Sequence, residues 1–335
     1  MPKPDALLHP RPEGLYCAAG DFFVDPVRPV ARAVITHGHS DHARAGHGVV
    51  VATAATLDIM RERYGEGFAG QVQAVAYGER VSRDGVEVRL VPAGHVLGSA
   101  QAVIACRGLT LVVSGDYKRR PDPTCAPFEP VACEVFVSEA TFALPVFRHP
   151  PAEEEIGKLM ASLAQFPERA HLVGAYALGK AQRVIALLRA AGWARPIYVH
   201  GALERLNALY ERHGVDLGPL APATGEDRAA LPGEVVIAPP SAIADRWSRR
   251  FADPVTAFAS GWMRVRARAR QRAVELPLII SDHADWDELT GTVAELSPGE
   301  LWITHGREEA LARWAELQGI AARPLAQVGY EDEDQ

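Results

Sequence analysis

The chain has 335 residues, of which 48% are hydrophobic and 23% charged, and its formal net charge is −7. This length allows one or two globular domains, and the acidic balance argues against a protein that coats nucleic acid indiscriminately. The sequence has no run of about eighteen apolar residues and no basic-then-apolar leader, so we expect no membrane helix and a cytoplasmic location. Four cysteines form no C-x-x-C pair and are expected to be reduced thiols: Cys17, Cys106, Cys125 and Cys133.

Residues 15–145 contain short runs rich in Val and Ile, broken by Gly, Pro and Asp, such as ARAVIT, VEVRLVP and LTLVV. Runs of this length and composition predict strands, whereas ATAATLDIMRERYG between them has a helical period. Many short strands with few helices predict two packed sheets covered by helices, a layered α/β sandwich.

The pattern changes near residue 150. Three stretches with helical period, PAEEEIGKLMASLAQF, GKAQRVIALLRAAG and GALERLNALYERHG, alternate with the strand candidates HLVGAY, PIYVH and EVVIAPP. This alternation predicts βα units and a parallel sheet. PLIISDHAD, ELWITHG and the helix REEALARWAELQG return to the first pattern. We therefore predict one domain from residues 1–148 and 273–335, with an α/β insert over 149–272, and a frayed terminus at EDEDQ.

Four potential metal ligands occupy the six residues HGHSDH. The run ARAVIT predicts a strand that delivers His37 to its carboxyl end, and in extended chain His37 and His39 point the same way. Asp41 and His42 follow at an expected helix start. Imidazole and carboxylate are ligands of zinc and other first-row transition metals. The motif therefore predicts one side of a site that holds two metal ions. We interpret the isolated histidines as ordinary structural residues: His9, His47, His149, His171, His200 and His213.

Three further strand ends offer the missing ligands. VRLVPAGHVLGSA ends its apolar run at His95, LTLVVSGDY ends at Asp116, whose carboxylate could bridge both ions, and LWITHG ends at His305. The first ion is assigned to His37, His39, His95 and Asp116. The second ion is assigned to Asp41, His42, His305 and again Asp116. A hydroxide held between the ions would be the nucleophile, since metal binding lowers the pKa of water from 15.7 to about 7.

HGHSDH, GHVLGS and SGD, in this order, resemble the metallo-β-lactamase fold, an αββα sandwich with a dinuclear zinc site. The resemblance implies the ligand roles given above. It also implies that Asp25 in FFVDP orients ligands, although Asp25 equally suits a turn at a strand end. Lactamases, thioesterases and nucleases share this fold, so the fold does not fix the function.

The motifs VSEATF, YALGKAQRV, FASGWM, SDHADW and ITHG resemble the β-CASP nucleases, and in particular the bacterial ligase-associated DNA-damage-response exonucleases. This implies an inserted α/β β-CASP domain and two divalent ions, zinc in the first place with manganese as the alternative. It implies His283 as the general acid, with Glu139 holding its other nitrogen, and Asp41 and Asp116 as catalytic carboxylates. Without the family, Glu139 would be a surface carboxylate and His283 a neighbour of a helix cap.

Residues 246–272 carry eight Arg and one Asp in a chain that is acidic elsewhere. Arginines at every second position from 264 to 272 would form a phosphate ladder in extended chain, but would spread around the axis of a helix. A merely solvated basic face is the alternative. Trp247 and Trp262 could stack on bases or be buried. The predicted substrate contacts are Lys180, Ser260, Arg264, Arg266 and Arg268.

The function predicted first is a metal-dependent DNA exonuclease in repair, with a ligase or helicase as neighbours implied by the family alone. An RNA-processing β-CASP ribonuclease is the alternative, because the last motif holds His305, typical of RNA-processing members, where eukaryotic DNA-repair members have Val. A thioesterase or lactonase on the same metal core would need neither the insert nor the arginines. A non-catalytic binding subunit predicts gaps among the ligands, and none is found.

Overall fold

The computed structural model describes residues 3–224, 231–272 and 274–325. The predicted frayed terminus EDEDQ lies outside these residues. The chain divides into two compact units, one built from the residues up to Arg148 and from His283 onward, the other from His149–Asp282. Within the described ranges, every helix is too short or too polar to cross a membrane.

The elements follow the predicted change of pattern. The first unit begins with α1 (Pro4–Leu7), β1 (Leu8–Arg11), β2 (Gly14–Cys17), β3 (Phe22–Val24), β4 (Arg32–Val34), β5 (His47–Ala52), α2 (Ala54–Tyr64), β6 (Ala69–Ala74), β7 (Arg80–Arg83), β8 (Val86–Pro92), β9 (Ala100–Cys106), β10 (Leu109–Val113) and β11 (Val135–Ala140). The second unit contains α3 (Ala152–Gln165), β12 (His171–Gly174), α4 (Lys180–Ala190), β13 (Ile197–Val199), α5 (Gly201–Arg212), β14 (Leu220–Pro222), β15 (Val235–Ala238), α6 (Pro240–Ile243), β16 (Val255–Ala259), α7 (Arg266–Gln271) and β17 (Leu276–Leu278). Among its described residues, 3-10 turns lie at Arg246–Arg250 and Gly261–Arg264. The first unit resumes with α8 (Trp286–Leu296), β18 (Glu300–Gly306), α9 (Glu308–Leu317) and β19 (Ala321–Pro324).

Two sheets pack face to face in the first unit. Their strand orders are β1-β2-β3-β4-β5-β6 and β19-β18-β11-β10-β9-β8-β7. Apolar side chains from both sheets, among them Leu15, Val51, Leu90 and Trp302, form one buried cluster. The outer faces are covered too, one sheet by α2 and the other by α8 and α9. Because strand residues alternate between faces, this gives four layers, and the predicted αββα sandwich is confirmed.

The second unit has a parallel sheet of order β14-β13-β15-β12-β16-β17, with helices in the connections. The βα alternation read from the sequence predicted this sheet. β17 pairs with β16, Ala257 opposite Leu276, so the strand in PLIISDHAD belongs here. The unit therefore continues to Asp282, beyond the end at residue 272 proposed from the sequence.

The arginine-rich stretch is helical, so the extended ladder of guanidinium groups was wrong. Residues Arg266–Gln271 form α7, and Arg and Ala are both good helix formers. Alternate residues of a helix point to different sides, which leaves Arg266 and Arg270, four apart, on one exposed side. Arg268 covers Trp262, with its guanidinium carbon 3.9 Å from the ring centroid. Trp262 is only 8% exposed, which supports its reading as a buried side chain.

Candidate metal centre

The HGHSDH motif lies in a loop between β4 and β5. The backbone turns sharply there, because the amides of His42 and Ala43 donate to the carbonyl oxygen of His39 at 3.2 and 2.8 Å. The structure has a turn, not the helix start expected at Asp41 and His42. This turn folds the motif back on itself, and the rings of His37 and His42 lie 4.1 Å apart between centroids.

The other predicted ligands follow strands of the second sheet. His95 comes just after β8 and Asp116 just after β10, and His305 lies within β18. Gly115, directly before Asp116, has a φ of 56°, and an added Cβ would lie 2.6 Å from the Thr36 hydroxyl oxygen. This position needs glycine both for its left-handed backbone and for the close approach of Thr36.

Asp116 lies at the middle of the converging side chains. Its Oδ2 is 3.3 Å from His37 Nε2, 3.4 Å from His42 Nε2 and 3.7 Å from His95 Nε2. One ligand atom from each of four buried residues lies within 4.8 Å of all the others: His37, His39, His95 and Asp116. This is the set of ligands predicted from the sequence for the first ion.

A second group overlaps the first. It joins Asp41 and His42 to His37, again with ligand atoms within 4.8 Å of one another. His305, which we assigned to the second ion, lies beside His42, with ring centroids 5.1 Å apart. His42 and His305 also line a cavity of about 20 Å³, which is large enough for one water molecule.

Asp25 orients the motif. Its Oδ2 accepts hydrogen bonds from the Thr36 hydroxyl at 2.6 Å and from His42 Nδ1 at 2.8 Å, while Oδ1 accepts from the Thr36 amide at 2.7 Å. This fixes the His42 ring so that Nε2 faces Asp116 and Asp41, 3.4 and 3.6 Å away. Thr36 also contacts His37 Nδ1 at 3.0 Å. No sequence motif points to Thr36, because its role depends on a contact with a residue eleven positions earlier.

The protonation states suit a cation site. Burial lowers the pKa of His37 and His95 well below 6.5, so both rings are neutral. Burial would raise the pKa of Asp116, but the surrounding imidazoles outweigh it and hold that pKa well below the usual value. Burial also opposes charge on His42, yet Asp116, Asp41 and Asp25 raise its pKa to about 10. Neutral imidazoles and ionised carboxylates bind divalent cations, and the proton on His42 is one that a cation would displace. The donor set therefore fits zinc or a related divalent ion.

His283 and Glu139 lie beside this cluster. His283 Nδ1 is 2.9 Å from Glu139 Oε2 and 4.0 Å from Asp116 Oδ2. Both side chains are buried, so Glu139 is not the surface carboxylate that the alternative expected. His283 does lie two residues before Asp285, the N-cap of α8. The β11–β18 register shifts between Ser138 and Ala140, and such an irregularity re-aims a side chain. Ligand atoms of Asp116, Glu139 and His283 also lie within 4.8 Å of one another.

The residues predicted to contact substrate differ in their exposure. Lys180 is buried, and its ammonium group lies 3.0 Å from the Ile280 carbonyl oxygen and 3.1 Å from Asp282 Oδ2, which argues against a direct phosphate contact. Ser260 is buried as well and caps a 3-10 turn by accepting from the Trp262 amide at 3.3 Å. Exposed arginines remain at 264 and 266, while that at 268 is half-buried.

The family comparison agrees with this geometry. The model of the metallo-beta-lactamase superfamily matches residues 21–162. The chain contains a metallo-beta-lactamase superfamily domain. A crystal structure of a protein of unknown function from Enterococcus faecalis V583 is similar over 89% of this chain and 80% of that chain, with a TM-score of 0.61 and 13% identity. At that identity the likeness concerns the fold alone, and the predicted metallo-β-lactamase fold is confirmed.

Curated relatives of this chain carry names that refer to nucleic-acid processing. A "Probable DNA ligase" of Opitutus terrae is 27% identical over 90% of this chain and 30% of that protein. "Cleavage and polyadenylation specificity factor subunit 3" of Dictyostelium discoideum is 30% identical over 42% of this chain and 19% of that protein. "Endoribonuclease YSH1" of Saccharomyces cerevisiae is 31% identical over 35% of this chain and 15% of that protein. The matched part thus spans less than a third of each relative, and the relatives are consistent with the resemblance to β-CASP nucleases.

Proposed function

We propose that the protein is a metal-dependent phosphodiesterase that degrades DNA from an end, with the second unit as its β-CASP insert. The observation that carries the proposal is the convergence of buried imidazoles on Asp116, next to the His283–Glu139 pair. A binding subunit without catalysis would not need this complete donor set, and a small-molecule hydrolase would not need the insert.

The chain's residues divide the work. His37, His39, His95 and Asp116 would hold one divalent ion, and Asp41, His42 and His305 with Asp116 would hold the other. Bound ions of this kind supply charge that stabilises phosphoryl oxygens and make water a stronger nucleophile. As water adds to phosphorus and releases a proton to solvent, the P–O bond to the leaving group breaks and His283 Nε2 gives its proton to the leaving oxygen. Glu139 binds Nδ1 and so keeps the ring in place with Nε2 as the proton donor.

DNA is the substrate we favour. The relative named as a probable DNA ligase is matched over 90% of this chain, whereas the endoribonuclease of S. cerevisiae is matched over 35%. The ligase name also supports a place in DNA repair with a ligase as neighbour, whereas a helicase neighbour rests on the family resemblance alone. Exposed Arg266 and Arg270 suit sequence-independent phosphate contact. The endoribonuclease names, together with His305, favour RNA as the second candidate substrate.

End-labelled single- and double-stranded DNA, and RNA of the same sequence, test the proposal after the protein is loaded with zinc or with manganese. We expect DNA ends to be degraded, a closed DNA circle of the same sequence to resist, and a chelator to stop the reaction. Degradation of the RNA but of neither DNA substrate would overturn the choice of DNA. Cleavage of the closed DNA circle would overturn the proposal that the protein attacks from an end. His37→Ala should lose both metal and activity, whereas His9→Ala, at a histidine outside the cluster, should keep both. Full zinc content and full activity in His37→Ala would contradict the catalytic proposal.

A further inference from the structure

The segment that follows Asp116 links the two members of the His283–Glu139 pair. The Tyr117 amide donates to Glu139 Oε1 at 2.7 Å, and the Tyr117 carbonyl oxygen accepts from the Ala284 amide at 2.6 Å. Since Glu139 Oε2 binds His283 Nδ1, these contacts close a ring through buried groups. The position of His283 therefore depends on how the chain is held just after it, at the start of α8.

The start of α8 is held by the residues after Tyr117. Asp285 and Glu288 form a reciprocal capping box, each accepting from the other's backbone amide at 3.0 Å. Glu288 Oε1 also accepts from the amides of Arg119 and Arg120 at 3.1 and 2.8 Å. The Arg120 guanidinium then donates to Asp285 Oδ2 at 2.6 Å. The capping box is thus tied to the segment after Asp116 by backbone and side-chain bonds.

Of these contacts, the ion pair between Arg120 and Asp285 is the one whose loss would disturb the start of α8 most, because it pairs a buried charge. The Asp285 side chain is 1% exposed and the Arg120 side chain 32% exposed. A buried carboxylate that loses its cationic partner is strongly disfavoured, so the start of α8 would shift to reach water or another donor. Asp285 is two residues from His283, and such a shift is passed directly to the imidazole.

We propose that Arg120 is a positioning residue for His283: it holds the start of α8 so that the imidazole faces the leaving oxygen. This rests on the proposed function, in which His283 is the proton donor. Arg120 itself lies outside the His/Asp cluster, and the proposed mechanism assigns it no contact with substrate. Misplacing a reacting group by about 1 Å costs as much as a hundredfold in rate, so the expected loss is between about tenfold and a hundredfold.

The test compares two substrates with the metal-loaded protein. Cleavage of a DNA oligonucleotide requires a proton on the leaving oxygen, whereas bis(p-nitrophenyl) phosphate releases a phenolate that requires none. Arg120→Met should slow the oligonucleotide by about tenfold to a hundredfold and the phenolate ester by less than about threefold, with metal content unchanged. Arg119→Met is the matched control, because Arg119 pairs with Glu295 on the same helix, 2.7 Å away but far from its start. We expect Arg119→Met to show no difference between the two substrates.

A double-mutant cycle decides whether Arg120 acts through His283. On the oligonucleotide, Arg120→Met added to His283→Ala should cause no further loss, since the proton donor is already gone. A loss as large as in the native background overturns the proposal, as does an equal loss on both substrates. If Arg120→Met does not fold, Arg120→Lys, which keeps the charge, should show the same pattern at smaller amplitude, and its absence there counts equally against the proposal. A native protein that cleaves neither substrate refutes the proposed function instead, so the two failures are distinguishable.

Discussion

Replacement of Asp25 by asparagine should weaken metal binding without removing any ligand. The Thr36 amide requires an acceptor at Oδ1, 2.7 Å away, so the new amide nitrogen must take the place of Oδ2. It would then point an N–H group at His42 Nδ1, where Oδ2 accepts at 2.8 Å in the native protein. His42 can accept that bond only in the tautomer whose proton is on Nε2, the nitrogen proposed to bind metal.

The magnitude follows from that conflict. In the tautomer that binds metal through Nε2, the proton of His42 is on Nδ1, so this N–H would face the N–H of the new side-chain amide. A buried donor without an acceptor costs about 1–3 kcal/mol. Since about 1.4 kcal/mol corresponds to a factor of ten, one of the two metal affinities should fall by about 10- to 100-fold. The same range is typical for the loss of a group that orients a ligating histidine.

A competition titration of apoprotein with Zn²⁺ against a chromophoric chelator measures this loss. Glu155→Gln is the matched control, because Glu155 is also a buried carboxylate, accepting from the Ile279 amide at 2.9 Å, but lies in the second unit. We expect its metal affinities to equal those of the native protein. Native affinities in folded Asp25→Asn, or an equal loss in Glu155→Gln, would refute the reasoning.

Three further predictions concern the general acid, the strained glycine and the basic helix. His283→Ala should retain its metal and lose about 10²- to 10⁴-fold in turnover of DNA, the range for a missing general acid; loss of metal would show that His283 is a ligand instead. Gly115→Ala should lower the free energy of unfolding, measured in urea, by at least about 1–2 kcal/mol, because alanine is strained at a φ of 56°. An unchanged urea midpoint of unfolding would contradict the assigned strain. Replacing Arg266 and Arg270 together by Ala should weaken DNA binding and make the plot of log affinity against log salt shallower by about 2. The control Arg313→Ala, on α9, should leave this slope unchanged, and an unaltered slope in the double variant would remove the basic helix from the binding surface.

Local patterns in the sequence predicted most of the fold. Val- and Ile-rich runs and helical periods predicted the sandwich and the parallel sheet, because side-chain alternation reports which faces are buried. The motifs at strand ends predicted the residues that surround Asp116, since four potential ligands in six residues rarely occur without a use. His95 and Asp116 could be added because each follows an apolar strand.

Patterns of short range also misled. Arginines at every second position suggested an extended ladder, but the stretch is a helix in which buried Ala269 packs with Phe258 and Met263. Likewise the strand Leu276–Leu278 joins the second sheet, which no local feature of PLIISDHAD indicates. In both cases packing against distant residues decides the outcome, and a short window of sequence does not contain those residues.

By itself, then, the sequence determined the kinds of element and the donor atoms available for a cation. Tertiary structure alone decided how those atoms are oriented: Asp25 reaches His42 across 17 positions, and His283 reaches Glu139 across 144. The physical reason is that a residue's type and spacing fix what its side chain can bind, whereas the direction of that side chain depends on hydrogen-bond partners brought near by folding.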